Sequence, residues 1–400
     1  MAFGAATPEN KGKLEHRSRF LRSEDSQTLA STLDRLTVKG ALFRAEGEYV
    51  RCVACGHRCR LAKGRRGVCR VRFNQEGQLH VPFGYVAGVL CDPIEKKPFH
   101  HVYPGSDALT FGMLGCDLHC AYCQNWVTSQ ALREPGAGAP IQLTSAAQLA
   151  RSGKRSNARL MVSSYNEPLI TAEWAAAVFG EARALGLECA IVSNGNLTAE
   201  VLSFLRPYLV AVKIDLKAFN DRRYRALGGT LANVLEGIRQ VHASGLWLEI
   251  VTLLIPGFND EERELRDMAR FIASVSTAIP WHVTGFHRDH KMLTPPDTTA
   301  AQLVRAAEIG TAEGLQFVYI GNVPGQTRGW ESTYCPGCRA QLIVRSGYDI
   351  REYRITAKGC CPDCDQFIPG IWPKGGAAEV SLSQGPHSHY ARLPRSVRLE

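Results

Sequence analysis

Between residues 107 and 323, short apolar runs alternate with stretches of helical periodicity. The apolar runs lie at 108–115, 159–168, 187–195, 209–219, 246–257, 281–287 and 315–323. Strands that alternate with helices are joined by right-handed crossovers and form a parallel sheet. The pattern therefore predicts an α/β domain built as a full or partial TIM-type (β/α) barrel. A doubly wound open sheet is the alternative, because pattern alone does not fix whether the sheet closes.

The cysteines are the second constraint on the chain. It has 14, and 11 of them fall into three tight groups. Disulfides belong to oxidising compartments, and the first 20 residues show no apolar segment of the kind that a secretory signal needs. Closely spaced cysteines in a reducing compartment favour metal binding. We therefore expect a cytoplasmic protein whose thiols are metal ligands.

The central group reads Gly115-Cys116-Asp117-Leu118-His119-Cys120-Ala121-Tyr122-Cys123. Three thiolates at this spacing can hold three corners of a [4Fe–4S] cubane and leave one iron open. The group follows the first predicted barrel strand, so it lies at the face where barrel active sites are found. A zinc site with His119 as a further ligand is the alternative.

At these residues the chain resembles the radical S-adenosylmethionine (SAM) superfamily, whose hallmark is Cys-x3-Cys-x-aromatic-Cys. The resemblance covers roughly residues 107–323. It implies that Cys116, Cys120 and Cys123 hold the cluster and that SAM binds the open iron. One electron would then cleave SAM to a 5′-deoxyadenosyl radical, which abstracts hydrogen from a protein or small-molecule substrate.

Other polar residues at the predicted strand ends fit a SAM site. They are Tyr122, Asn166, Glu167, Ser193, Asn194, Asp215 and Lys217. An amide and a carboxylate suit the SAM ammonium group, and by similarity to the activating-enzyme branch Asp215 and Lys217 would face SAM. Each also has a structural interpretation, as a helix cap, an Asn-Gly turn or an ion pair inside the barrel.

A closer resemblance is to the AmmeMemoRadiSam radical SAM proteins, which are related to pyruvate formate-lyase activating enzymes. It rests on DPIEKKP (92–98), GCDLHCAYCQNW (115–126), YNEP (165–168), the N-terminal cysteines and the ending YCPGC…CPDC…IPGIW. It implies an electron donor such as flavodoxin or ferredoxin as a partner. The Gly-Gly-Glu that the superfamily often has at the second strand is replaced here, and an eight-cysteine ferredoxin-like insert is missing. Both departures weigh against an ordinary glycyl-radical activating enzyme.

Two cysteine modules flank the predicted barrel. Cys335, Cys338, Cys361 and Cys364 have the spacing of a zinc ribbon, with rubredoxin-like iron as the competitor and Cys360 as a rival ligand. The N-terminal group is Cys52, Cys55, Cys59 and Cys69, for which zinc and an auxiliary iron–sulfur cluster are both open.

These features divide the chain into five segments. We predict an irregular segment at 1–45, a Cys-rich module at 46–105, the barrel at 106–325, a zinc-ribbon-like module at 330–373 and a disordered tail at 374–400.

Two other functions stay open at this stage. The first is activation of a glycyl-radical enzyme. The second is nucleic-acid binding or RNA modification with the cysteine modules as zinc knuckles, which the net charge of +9 permits. Acidic residues number 38 against 47 basic ones, so an ordinary solvated surface is favoured over a nucleic-acid interface. No apolar run approaches the ~18 residues of a membrane span, and we expect no membrane partner.

Overall fold

The fold was examined in a computed structural model, which describes residues 28–327, 329–383 and 394–399. Most of the predicted irregular segment, residues 1–27, lies outside this range, as do residues 384–393 and 400 of the predicted disordered tail. Among the described residues, no helix combines the length and apolarity that crossing a membrane requires.

The N-terminal part is a small mixed unit. Its elements are α1 (Leu29–Arg35), β1 (Thr37–Lys39), β2 (Phe43–Glu46), β3 (Tyr49–Cys52), β4 (Arg60–Leu61), β5 (Phe73–Gln75), β6 (Gln78–Pro82), β7 (Tyr85–Val86) and β8 (Gly88–Pro93). Thr28 caps α1 by accepting a hydrogen bond from the amide of Ser31. The irregular segment predicted at 1–45 is thus wrong for its described part, since β1 pairs with β6 and β2 with β3.

The central part alternates strands and helices as predicted. Its elements are β9 (Asp107–Gly112), α2 (Trp126–Ser129), β10 (Gln142–Leu143), α3 (Ala146–Arg155), β11 (Leu160–Ser163), α4 (Ala172–Ala184), β12 (Glu188–Ser193), α5 (Ala199–Leu205), β13 (Ala211–Asp215), α6 (Asp221–Ala226), α7 (Leu231–Ala243), β14 (Trp247–Leu254), α8 (Glu262–Val275), β15 (Trp281–Gly285), α9 (Ala300–Ala312) and β16 (Val318–Gly321). Each of the seven apolar runs contains one strand of the main sheet.

The main sheet has the strand order β16-β15-β14-β13-β12-β11-β9-β8. All of these strands except β8 pair in parallel, which makes seven parallel strands. An antiparallel strand, β8, covers the β9 edge. No ladder of the described residues joins β16 to the opposite edge, so the sheet is a partial barrel. This confirms the predicted fold class and decides between full and partial closure.

The C-terminal module is a three-stranded antiparallel sheet of β17 (Thr333–Tyr334), β18 (Gln341–Ser346) and β19 (Asp349–Tyr353). Its core includes Phe317 and Tyr319 at the β16 edge of the barrel. Arg345 also donates to the carbonyl oxygen of His100 at 2.7 Å. The module is therefore docked on the open edge of the barrel.

The prediction of a disordered tail is wrong for residues 394–399, the last part of the tail that the structure describes. Arg395–Ser396 form β20, which pairs antiparallel with β8. Arg395 also donates a hydrogen bond of 2.6 Å to Asp107 Oδ2. A low-complexity composition thus does not prevent a short segment from adding to an exposed sheet edge.

A buried ion pair joins the N-terminal unit to the barrel. Arg72 is 1% exposed and donates to both carboxylate oxygens of Glu173, in α4, at 2.7 and 2.8 Å. Glu173 Oε1 also accepts the amides of Ala41 and Leu42. Because burial penalises both charges, each partner needs the other, and removing one leaves an uncompensated charge.

We predict that Arg72→Met lowers the free energy of unfolding by about 3–5 kcal/mol, because Glu173 stays buried without its cation. Denaturant unfolding of the reconstituted protein measures the change. Arg65→Met, at an exposed arginine of the same unit, is the matched control and should change stability by no more than about 0.5 kcal/mol. Equal loss in both variants would show that the ion pair does not hold the unit in place.

Candidate active site

The loop that carries the central cysteines begins directly after β9. Its first turn needs Gly115, whose φ is +100°. A Cβ atom there would lie 3.0 Å from a Val71 methyl group and 3.3 Å from the Cys69 carbonyl oxygen. Glycine therefore permits both the left-handed backbone and the close approach of the N-terminal unit.

The loop is anchored through Asp117, whose side chain is fully buried. Asn194 Nδ2 donates to Asp117 Oδ1 at 2.7 Å, and Asn196 Nδ2 donates to Oδ2 at 2.8 Å. A ring nitrogen of His57 lies 3.1 Å from the Asp117 carbonyl oxygen. One acidic residue thus ties the loop to the end of β12 and to the N-terminal unit.

The three central thiols lie in apolar surroundings. Burial raises the pKa of Cys120 to about 11, against the opposing attraction of Lys217. The Cys123 Sγ lies 3.1 Å from Ser129 Oγ. Burial also raises the pKa of Cys116, and Asp117 adds to that shift. Raised pKa values make these thiols poor free nucleophiles, and coordination to a metal would deprotonate them.

A cavity of about 510 Å³ lies beside this loop at the carboxyl ends of the barrel strands. The wall includes two of the cysteines, the aromatic residue between them, and charged residues from several strands. Its polar and aromatic members include Lys96, Lys97, Cys120, Tyr122, Cys123, Gln124, Tyr165, Lys213, Asp215, Lys217, Asn322 and Tyr348. Four lysines of this wall are paired with only two aspartates, Asp92 and Asp215, so the cavity has an excess of positive charge and favours groups that carry negative charge.

Asp215 is the acidic residue of this wall. It accepts hydrogen bonds from Lys213 and from Lys217, the latter at 3.0 Å. Burial alone would raise the pKa of Asp215, but the attraction of the two lysines outweighs it and the pKa lies below the ordinary value. The sequence indicated Asp215 and Lys217 but missed Lys213. The alternation of strand residues places all three on one face.

A second charged group was missed as a site from sequence. Asp92 accepts hydrogen bonds from Lys96 at 3.1 Å, from Lys97, and from the Tyr165 hydroxyl at 3.1 Å. Burial lowers the pKa of Lys97 to about 8, although Asp92 opposes the shift. The run Asp-Pro-Ile-Glu-Lys-Lys contains this charged group, but in the sequence it indicated only a family resemblance.

The other predicted SAM contacts lie behind the cysteine loop rather than in the cavity wall that the described residues define. Glu167 accepts hydrogen bonds from Ser193 Oγ at 2.7 Å and from the Asn194 amide at 2.8 Å. Asn166 Oδ1 accepts the amide of Met113 at 2.9 Å. Burial, with Asp117 nearby, raises the pKa of Glu167 to about 8. In this structure these four residues support the loop.

The C-terminal cysteines converge on a single point. The Sγ atoms of Cys335 and Cys364 are 3.5 Å apart, and those of Cys338 and Cys361 are 3.7 Å apart. Among the described residues, these four are the one group of His, Cys, Asp or Glu whose ligand atoms all lie within 4.8 Å. Cys360 is outside this group, so the geometry favours Cys361 over Cys360.

The N-terminal cysteines are close together without converging in this way. Burial raises the pKa values of the Cys55, Cys59 and Cys69 thiols, and the proximity of Cys52 adds to each shift. The four therefore form a cluster of thiols against the central loop, with a spacing wider than that of the C-terminal group.

Comparison with known proteins places this site in a family. Residues 111–270 match the family model of the radical SAM superfamily. An uncharacterised protein of Methanocaldococcus jannaschii is 34% identical over 336 residues, which is 83% of this chain and 99% of the relative. An isethionate sulfite-lyase activating enzyme of Desulfovibrio desulfuricans is 32% identical over 131 residues, or 31% of this chain and 42% of the relative.

A solved structure of a pyruvate-formate lyase-activating enzyme domain from Bacteroides vulgatus is similar to 40% of this chain and 98% of that domain. Its sequence identity is 22% and its TM-score 0.36. The match to the activating enzyme of Desulfovibrio spans less than half of that protein. The match to the Methanocaldococcus protein covers 83% of this chain and 99% of that protein. The chain therefore belongs to the radical SAM superfamily, and it is an enzyme related to the activating enzymes of that superfamily.

Proposed function

We propose that Cys116, Cys120 and Cys123 hold a [4Fe–4S] cluster and that the adjoining cavity binds SAM, so that the enzyme abstracts hydrogen from a substrate bound beside it. The observation that carries the proposal is the shared cavity wall. Cys120 and Cys123 face the same space as Asp215 and Lys217. A cluster with one open iron would therefore border a chamber that has charged groups for a zwitterionic ligand.

The donor set fits a cubane better than a zinc ion. The zinc alternative needed His119 as a further ligand, but this side chain is exposed and its ring contacts Gly228 instead. One buried and two partly buried thiols from one loop then remain, which leaves the fourth corner of a cubane open. When bound, the cluster and SAM supply the one-electron chemistry that generates an organic radical.

The side chains of the cavity have separate tasks in this proposal. Lys217 binds the SAM carboxylate, because an ammonium group forms strong hydrogen bonds with a carboxylate. Asp215 keeps Lys217 charged and positioned through the ion pair described above. Tyr122 adds a buried aromatic surface beside the cysteines. Tyr348, from the turn between β18 and β19, limits water at the far wall.

The remaining partners follow from this chemistry. A low-potential donor such as flavodoxin or ferredoxin supplies the electron. The substrate is a protein or a small molecule, and the excess of lysines in the cavity favours one with an anionic group. A reducing cytoplasm suits the clustered thiols.

Within this proposal, the first prediction concerns the cleavage of SAM. Under anaerobic conditions with dithionite, the reconstituted enzyme should form 5′-deoxyadenosine from SAM, and Cys116→Ala, Cys120→Ala or Cys123→Ala should abolish it, because each removes a cluster ligand. Chromatography of the reaction mixture measures the product. Cys189→Ala, at a buried thiol in β12 away from the loop, is the control and should keep the activity. A fully loaded wild-type enzyme that yields no product would overturn the proposal.

The second prediction concerns SAM binding. Lys217→Met should weaken SAM binding about 10-fold to 100-fold, since a hydrogen bond to a charged group contributes about 1.5–3 kcal/mol. Equilibrium dialysis with labelled SAM gives the dissociation constant. Arg222→Met, in α6 and outside the cavity wall, is the control. Iron content must match in both variants, and unchanged affinity in Lys217→Met would remove this residue from the SAM site.

Activation of a glycyl-radical enzyme is the second candidate function, and the match to activating enzymes favours it. A glycyl-radical doublet in the EPR spectrum of a partner enzyme, formed only with this protein and SAM, would support it. The C-terminal module is docked on the open edge of the barrel, where it occupies a side from which a protein loop could enter. This position favours a small-molecule substrate over a protein substrate.

We also propose that Cys335, Cys338, Cys361 and Cys364 bind one zinc ion. Thiol separations of 3.5 and 3.7 Å suit four thiolates around one tetrahedral ion.

The third prediction tests this zinc site. Cys338→Ser should lower the zinc content by about one ion per chain and speed amide exchange in β18 and β19, because metal binding is coupled to folding of such modules. Metal analysis and hydrogen-exchange mass spectrometry measure both effects. Exchange in β12 and β13 should stay unchanged, as the internal control. Full zinc content in Cys338→Ser would contradict the assignment.

A further inference from the structure

The N-terminal cysteines form a site that neither the barrel nor the zinc ribbon explains. Cys52 ends β3, Cys55 and Cys59 lie in the turn before β4, and Cys69 lies in the loop before β5. Cys52, Cys55 and Cys69 are buried, and Cys59 is partly buried. Four thiols gathered from two loops are more than a small core needs, which indicates a metal site.

The spacing of the thiols distinguishes between metals. In a tetrahedral zinc site with Zn–S bonds of about 2.3 Å, every pair of sulfur atoms is about 3.8 Å apart. In a cubane each thiolate binds its own iron, so the sulfur atoms stand further apart. The C-terminal group has the zinc spacing, with all four ligand atoms within 4.8 Å of one another.

The N-terminal group does not have that spacing. Among its four described cysteines, no three have Sγ atoms that all lie within 4.8 Å. The central group, Cys116, Cys120 and Cys123, has the same property. The N-terminal thiols nevertheless lie close together, since the amide of Val68, next to Cys69, donates a hydrogen bond of 3.5 Å to Cys59 Sγ. Neither group thus has the compact sulfur arrangement of the ribbon.

The N-terminal group is also in contact with the central cysteine loop. The Cys69 carbonyl oxygen lies against Gly115, next to Cys116. His57, two residues after Cys55, contacts the backbone oxygen of Asp117. A metal group held by these thiols would therefore adjoin the loop that carries Cys116.

From this arrangement we infer that Cys52, Cys55, Cys59 and Cys69 hold a second iron–sulfur cluster of the [4Fe–4S] type rather than zinc. Four thiolates give this cluster a closed coordination shell, so it binds no SAM and serves as a one-electron redox centre beside the central loop. Its electrons come from a low-potential one-electron donor protein. The inference concerns metal identity and does not depend on SAM cleavage.

The test removes the central cluster and counts the remaining metal. Anaerobically reconstituted wild type should contain about eight irons and one zinc per chain. The triple variant Cys116→Ala/Cys120→Ala/Cys123→Ala should keep about four irons and one zinc, with the Mössbauer spectrum of a [4Fe–4S] cluster. It should also give a reduced-cluster EPR signal after dithionite. A triple variant with two zinc ions and no iron would overturn the inference.

A second variant tests the ligands directly. Cys59→Ser should lower the iron content of the wild type by about four and leave the zinc unchanged. Cys189→Ala is the matched control and should keep full iron and zinc. If Cys59→Ser misfolds, the triple variant still decides, since its N-terminal thiols are intact. Unchanged iron in a folded Cys59→Ser would exclude this group from cluster binding. Neither readout uses SAM, so failure here leaves the proposed SAM chemistry standing.

Discussion

The hydrogen bonds of the buried Asp117 carboxylate hold the active site together. Asn194 and Asn196 satisfy its two oxygens, so the residue after Cys116 is fixed to the end of β12. A buried carboxylate without such partners would be too costly to keep ionised. Through the same residue the loop reaches His57 and the N-terminal unit. The position of Cys116 thus depends on side chains of its own loop, of the segment after β12 and of the N-terminal unit.

Much of the barrel could be predicted from the sequence, because each strand is a buried apolar run and each run is followed by a helix. The cysteine loop could be predicted from the spacing of Cys116, Cys120 and Cys123. The orientation of the Glu167 and Asn194 side chains could not be predicted from the sequence. Both residues follow strands, as SAM contacts often do. Their polar atoms, however, are hydrogen-bonded within the network around Asp117. Hydrogen-bond partners that are distant in sequence leave no local pattern.

The edges of the sheet were also beyond sequence reasoning. β20 has two residues, Arg395–Ser396, in a segment of low apolar content, and pairs only because β8 offers unsatisfied backbone groups. The docking of the C-terminal module likewise depends on Arg345 meeting the His100 carbonyl oxygen. Such contacts arise from the shape of the finished barrel. Zinc-ribbon spacing indicated the module but not where it would bind.

Because Tyr348 lies in the cavity wall, the ribosome completes the cavity only after it has synthesised the cysteine loop. This residue belongs to the hairpin of β18 and β19, which leaves the ribosome after every strand of the barrel. The cysteine loop and its neighbouring strands can therefore fold while one wall of the chamber is still missing. Iron and sulfide for the proposed cluster would reach the loop most easily during that interval, before the hairpin narrows the cavity.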